Sequence, residues 1–435
     1  MTLFIKRLLL LGLLAIVLVP VLQTRFTFVK EKPLGGAFTV APKPEFSWDA
    51  LRDNTYQPAL EKHLEDSIGF RALFIRLRNQ LAFSIFRVPH SGGIIVGRND
   101  VLFGFEYLGA YAGKNLMPED EIRFRVHRLR TIQQLLAERG IQLLYVIAPN
   151  KARFEPENLP DEWRAAPGVV TNYELFVRHM QEEHLNLLDC TALFAQWKHT
   201  KPYPLYPRNG THWSGYGASL AADSLMRRIA SLTGTTLPAV HVLGPPKLVY
   251  HTDSLRSTDN DLGETLNLLR ERDARPMAYP RLAFDAPRPD QPLPSVLFVS
   301  DSFVWGLMQF SPFVQKQLAP DTRVWFYNQS VYMPDSVYHK TGEQAGDLDL
   351  RKEIESRKAI VLLFTEHNMT EQEYGFTERL YRLYHPVTNA EHDAVVKLAA
   401  ELTKQASWEE ASKDPDNFPL LMQIKAQAIY DRQMH

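Results

Sequence analysis

Apolar and polar positions change period several times along this 435-residue chain, and each change marks an element. Leu8 to Leu22 carries no charge, with Lys6 and Arg7 just before it. From Tyr56 to Phe86, Leu60, Leu64, Ile68, Leu73, Leu77 and Leu81 recur at four- and five-residue steps, which predicts helix until Ser91-Gly92-Gly93 ends the pattern. Ile94–Gly97 and Val101–Phe103 flank Arg98-Asn99-Asp100 and predict a β-hairpin. Helix and strand then alternate. Helices are predicted over 119–139 (closed by Gly140), 171–183, 214–232 and 313–318. Strands are predicted over 141–148, 185–189, 296–300, 324–327 and 359–364. The strands are continuous apolar runs, as in a parallel sheet buried on both faces. The expected fold class is therefore α/β, a parallel sheet sandwiched by helices.

Four sections follow along the chain. Residues 1–25 form a signal anchor or transmembrane helix. Residues 26–54, with Pro33, Pro42 and Pro44, are expected to be a linker that lifts the rest off a membrane. The α/β domain spans 55–385, with an aperiodic excursion rich in Pro, Asp and Arg over 233–290. Residues 386–435 are a charged, helical C-terminal appendage.

The charge-then-apolar start fits both a cleaved secretory signal and an uncleaved anchor. No small-x-small cleavage site follows Leu22, which favours the anchor. Lys6 and Arg7 before the span place the N-terminus in the cytoplasm and the rest on the exported side of the inner membrane, although Arg25, Lys30 and Lys32 pull the other way. The 49 basic residues balance 50 acidic ones, so nothing in the charge points to nucleic acid. The single cysteine, Cys190, excludes an intrachain disulfide framework and a multi-cysteine zinc site, and its apolar setting predicts a buried thiol.

Ligands of such a sheet bind beyond the carboxyl ends of its strands. Four segments fall there: Ala148–Lys151, Arg208–Ser214, Ser300–Phe303 and Thr365–Asn368. Ser302 follows the strand over 295–299 and precedes a helix-like stretch. It is placed either as a nucleophile near backbone N–H groups or as a helix cap. A serine nucleophile needs a base within hydrogen-bond reach, and His212 and His367 are the strand-end and helix-start candidates. Trp213 beside His212 reads equally as a packing anchor. Neither histidine has the spacing of a metal site, so no metal and no cofactor are expected.

Five segments together resemble a known family: Leu64–Arg71, Gly97–Phe103, Val146–Lys151, Gly210-Thr211-His212-Trp213 and Ser300-Asp301-Ser302-Phe303. In that order, and over residues 55 to 370, they resemble the SGNH-hydrolase-like family that includes the bacterial alginate O-acetyltransferases. The resemblance implies an exported, membrane-anchored acetyltransferase or acetylesterase acting on a polysaccharide. Ser302 would carry the acetyl group and His212 would be the base. A multi-pass membrane O-acyltransferase is implied as donor partner. Asn150, Lys151, Tyr327, Asn328 and Asn368 become candidates for lining the pocket or donating hydrogen bonds, and Asp301 is a further site candidate.

Two positions depart from the family pattern. Gly210 stands where the family has the aspartate that orients the histidine, and Ser300 stands where it has glycine. Another carboxylate (Asp259 or Asp261), Asn209, or a backbone carbonyl would have to hold the ring. Otherwise the protein binds polysaccharide without modifying it, as a component of an export or acetylation complex. A small-molecule esterase is the third reading.

Overall fold

The computed structural model describes residues 2–36, 39–271, 275–335, 339–407 and 418–434. The chain forms two compact units. One comprises residues 1–105, 206–211 and 249–276, and the other 106–205, 212–248 and 277–435.

The first unit begins with the helix Thr2–Phe26, whose segment Leu3–Phe26 is long and apolar enough to cross a membrane. Its last turn is tied down. Gln23 donates to Val29 O and accepts from Val29 N, and Thr24 Oγ1 accepts from Gly69 N at 2.7 Å. The stretch expected to be a linker is likewise held by side chains. Gly35 exchanges two hydrogen bonds with the Asn267 amide, Ala41 N donates to Asp66, and Arg76 donates to the carbonyls of Lys32 and Pro33. Composition showed the prolines but not these partners. The helix predicted over 56–86 is two helices, Tyr56–Ser67 and Arg71–Phe86. Phe70 between them has φ 60°, a left-handed conformation that interrupts the i→i−4 ladder. The predicted hairpin is present as β1 (Ile94–Val96) and β2 (Leu102–Gly104), with Ile94 opposite Gly104.

The main sheet of the second unit is built from β3 (Gln142–Ala148), β4 (Leu187–Asp189), β5 (Val296–Ser300), β6 (Arg323–Phe326), β7 (Ser330–Met333), β8 (His339–Gln344) and β9 (Ala359–Thr365). They form one sheet in the order β8-β7-β6-β5-β9-β3-β4. The five strands from β6 to β4 are parallel, as the apolar runs predict. β7 and β8 add an antiparallel edge, so the sheet is mixed and not wholly parallel. Leu143, Tyr145 and Ile147 of β3 and Ile360, Leu362 and Phe364 of β9 join a core with Ile122, Val126 and Leu129 of the helix Glu119–Ala137. The alternate positions Leu144, Val146, Val361 and Leu363 are equally buried, so both sheet faces are covered. Each such side chain contributes about 1.5–3 kcal/mol on burial, which fixes the strand ends where the chemistry sits. Cys190 is buried, as expected, and burial pushes its thiol pKa far above the ordinary range.

The C-terminal region is helical, with helices Asn389–Gln405 and Phe418–Met434. The latter docks through Asp431, which accepts from Arg128 and Arg382. Of the excursion and the appendage, residues 272–274, 408–417 and 435 lie outside the described residues.

Candidate active site

β5 is fully buried, and its last residue, Ser300, is extended and paired with both Phe326 and Leu363. No left-handed backbone is required at Ser300, so a side chain is tolerated where the family has glycine. The chain then turns. Asp301 accepts from Phe303 N at 3.0 Å and caps the short 3-10 turn Ser302–Trp305. The cap is therefore Asp301, and the Ser302 hydroxyl is left for other partners.

One of those partners is His212. Its Nε2 lies 2.8 Å from Ser302 Oγ, although the two residues are 90 positions apart. His212 is buried and packs at a tilt against Phe303, 4.7 Å between ring centroids. The next residue, Trp213, is fully buried against Phe303 and Phe194. It packs so closely over Gly306 that a Cβ there would lie 2.2 Å from Nε1. Trp213 is thus the packing anchor and His212 is the residue that reaches the serine. Ser214 then caps the helix Gly215–Thr233 by accepting from Gly217 N.

The Tyr327 phenol lies close enough to Ser302 to interact electrostatically with its hydroxyl and backbone amide. It sits in the turn between β6 and β7, where Tyr327 and Asn328 have φ 51° and 52° and Gln329 N closes on Phe326 O at 3.0 Å. Two successive left-handed residues are the signature of a type I′ hairpin turn. Asparagine tolerates that conformation, but tyrosine adopts it only where the surroundings hold it, and such strain gathers at functional sites. Here Tyr327 N donates to Ser300 O at 2.8 Å. Burial, and then the Asp301 charge, raise the Tyr327 pKa, so the phenol stays protonated and can donate.

The Asp301 carboxylate is completely buried. Besides Phe303 N, it accepts from Thr365 N, Thr365 Oγ1 and Asn368 Nδ2, at 2.7, 2.7 and 2.9 Å. Its visible work is to bind the Ser302–Trp305 turn to the end of β9. Asn368 Oδ1 in turn accepts from the Tyr374 hydroxyl, and Asn328 Nδ2 donates to Tyr374 O. Asn328 and Asn368 therefore brace the neighbouring segments. Asn150 also has a local role: it caps the helix Lys151–Phe154 and donates to Tyr107 O. It lines a cavity of about 370 Å³ with Arg153, Tyr173 and Phe194, and Lys151 beside it is buried. Thr365, Tyr374 and Tyr107 were not singled out from sequence. The strand-end position of Thr365 was the only available signal.

The other candidates belong to the first unit. Asp261 accepts from Thr211 N and Leu262 N through one oxygen, both at 2.8 Å. Asn209 O accepts from Leu262 N and Gly263 N. Asp259 is fully buried. A Cβ on Gly210 would lie 2.4 Å from Thr258 O and 3.1 Å from the Asp259 carbonyl carbon. No side chain, acidic or otherwise, fits at 210 while that backbone is there. Among the described residues, no cluster of three or more His, Cys, Asp or Glu side chains is arranged to hold a metal ion.

Comparison with known proteins gives the family. The family model for the SGNH hydrolase-like domain of the acetyltransferase AlgX matches residues 94–325. The probable alginate O-acetylase AlgJ of Azotobacter vinelandii is 27% identical over 199 residues, 45% of this chain and 47% of that protein. The namesake from Pseudomonas aeruginosa is 27% identical over 191 residues, covering 43% and 44%. The chain thus spans about half the length of the curated relatives it matches. Among solved structures, the O-acetyltransferase domain of Pseudomonas putida AlgJ aligns with 67% of this chain and 99% of its own, at 18% identity and a TM-score of 0.43. Pseudomonas aeruginosa AlgX aligns with 66% of each chain, at 14% identity and a TM-score of 0.43.

Proposed function

Because the chain belongs to the SGNH hydrolase-like family of the acetyltransferase AlgX, we propose that it is an O-acetyltransferase that acts on a polysaccharide through an acetyl-serine at Ser302. The 2.8 Å contact between His212 Nε2 and Ser302 Oγ carries the proposal. His212 takes the hydroxyl proton as Ser302 Oγ bonds to the acetyl carbonyl carbon. The proton then passes to the departing donor group. In the second half, a sugar hydroxyl gives its proton to His212 and bonds to the same carbon, and His212 passes that proton to Ser302 Oγ as the acyl–serine bond breaks. The oxyanion formed in each half is met by the Ser302 amide and the Tyr327 phenol.

Asp259→Asn and Asp261→Asn test whether either carboxylate holds the His212 tautomer: a large loss of activity in one identifies the acid, and no loss in either leaves a Ser302–His212 dyad. The helix Leu3–Phe26 anchors the protein in the inner membrane, with the remainder on the periplasmic side. A multi-pass membrane O-acyltransferase supplies the acetyl group.

The test is acetylation of the full chain by p-nitrophenyl acetate, with and without a polysaccharide acceptor. Wild type is expected to form an acetyl-enzyme that an acceptor discharges faster than water does. Discharge by water alone would make it an esterase. The observation that favours a non-catalytic, polysaccharide-binding role is Gly210 with its space filled. That role predicts no adduct, and glycan binding that survives both Ser302→Ala and His212→Ala.

A further inference from the structure

We propose that His367 is a positioning residue for the nucleophile turn. It fixes a hydrogen-bond relay, His367 to Thr365 to Asp301, that ends on the Phe303 amide beside Ser302. The inference deepens the acyl-transfer reading and rests on it for its kinetic part only.

Proton counting gives the relay its direction. Asp301 receives the Thr365 and Phe303 amides and the Asn368 side-chain amide, so its carboxylate acts as an acceptor. Thr365 has one hydroxyl proton, and Oγ1 lies 2.7 Å from Asp301 Oδ2. That proton goes to Asp301. The same Oγ1 is 2.8 Å from His367 Nδ1, so it accepts there, and Nδ1 carries the hydrogen. The neutral ring is therefore the Nδ1–H tautomer, with a lone pair on Nε2.

The ring has little freedom to do otherwise. It packs at a tilt against Tyr107, 4.1 Å between ring centroids, and Tyr107 lies 6.4 Å from Phe303. Nε2 is 3.9 Å from the Glu106 carboxylate, beyond a hydrogen bond. Asp301, Glu106, His212 and Glu371 are the titratable groups that influence it. Burial is the largest of these influences and lowers its pKa, which favours the neutral ring. Protonation at Nε2 would leave Nδ1–H in place, so the relay does not depend on the charge state. What it needs is a donor at the Nδ1 position.

Three substitutions separate the two ring nitrogens. Asparagine places an N–H near Nδ1, glutamine places its amide near Nε2, and alanine supplies neither. In the full chain in detergent, acetylation of Ser302 by p-nitrophenyl acetate is followed in single turnovers, with steady-state kcat and KM. His367→Ala and His367→Gln are expected to lose about ten- to hundredfold in acetylation rate and in kcat at unchanged KM, while His367→Asn stays within about threefold of wild type. Equal losses in His367→Asn and His367→Ala, or no loss in any of the three, would overturn the proposal. A second readout needs no turnover and no variant. Long-range 1H–15N correlation of histidine-labelled wild type is expected to show His367 as Nδ1–H, and an Nε2–H pattern overturns the relay. If wild type forms no acetyl-Ser302, the acyl-transfer reading fails while the tautomer still decides the relay.

Discussion

Asp301→Asn tests whether this carboxylate braces the nucleophile turn or takes part in catalysis as the acid. One oxygen accepts from Thr365 N, Thr365 Oγ1 and Asn368 Nδ2, and the other from Phe303 N. Asparagine has a single acceptor oxygen. In the less costly amide orientation that oxygen keeps the three donors, and the NH2 group faces the Phe303 N–H. One buried donor is then orphaned, at about 1–3 kcal/mol, and three bonds lose the assistance of a charge, at about 1 kcal/mol each. The expected loss of stability is about 4–6 kcal/mol, measured by urea unfolding of the full chain in detergent with tryptophan fluorescence. A loss below about 1 kcal/mol together with a rate fall of about a thousandfold or more would refute the brace and make Asp301 the catalytic acid.

Two further outcomes follow from the same neighbourhood. Tyr327→Phe keeps the ring but removes the hydroxyl that lies near Ser302. Acetylation of Ser302 is expected to slow by about 10²–10³-fold if that hydroxyl stabilises the oxyanion, and an unchanged rate in stopped-flow ester cleavage would assign it packing alone. Glu373 is buried, accepts from Tyr145 and Thr377, and has its pKa raised above 4.5 chiefly by burial. Its contribution to stability is complete below that ordinary value and is lost as pH rises through the folded-state value. Wild type is therefore expected to lose stability relative to Glu373→Gln as pH rises above the ordinary glutamate value, and a difference that is flat with pH contradicts the assignment.

The parallel core of the sheet was readable because β3, β5 and β9 are continuous apolar runs with every residue from 143 to 148, 296 to 299 and 359 to 364 buried. The antiparallel edge was not. Ser330–Met333 is short and mixed, and its turn is made by Tyr327-Asn328 in place of the Asn-Gly that announces a hairpin. Single residues also hid their partners. Gln23 and Asn267 hold the proline-bearing stretch through contacts that composition does not encode. Ser302 and His212 were named as a pair from motif order, and their 2.8 Å separation is a property of the fold. Asp301 read as a site residue because it adjoins Ser302, yet its partners lie 64 and 67 positions later. The vacant acid position at Gly210 has a steric cause in residues 258–259, which read from sequence as part of an aperiodic excursion.

The most direct test of the account is the site of acetylation. The full chain would be treated with p-nitrophenyl acetate, quenched in acid, digested and mapped by mass spectrometry. The account predicts one acetyl group on the peptide carrying Ser302 in wild type, none in Ser302→Ala, and slower acetylation in His212→Ala. An unmodified Ser302 in wild type, or the same labelling in wild type and Ser302→Ala, would contradict it.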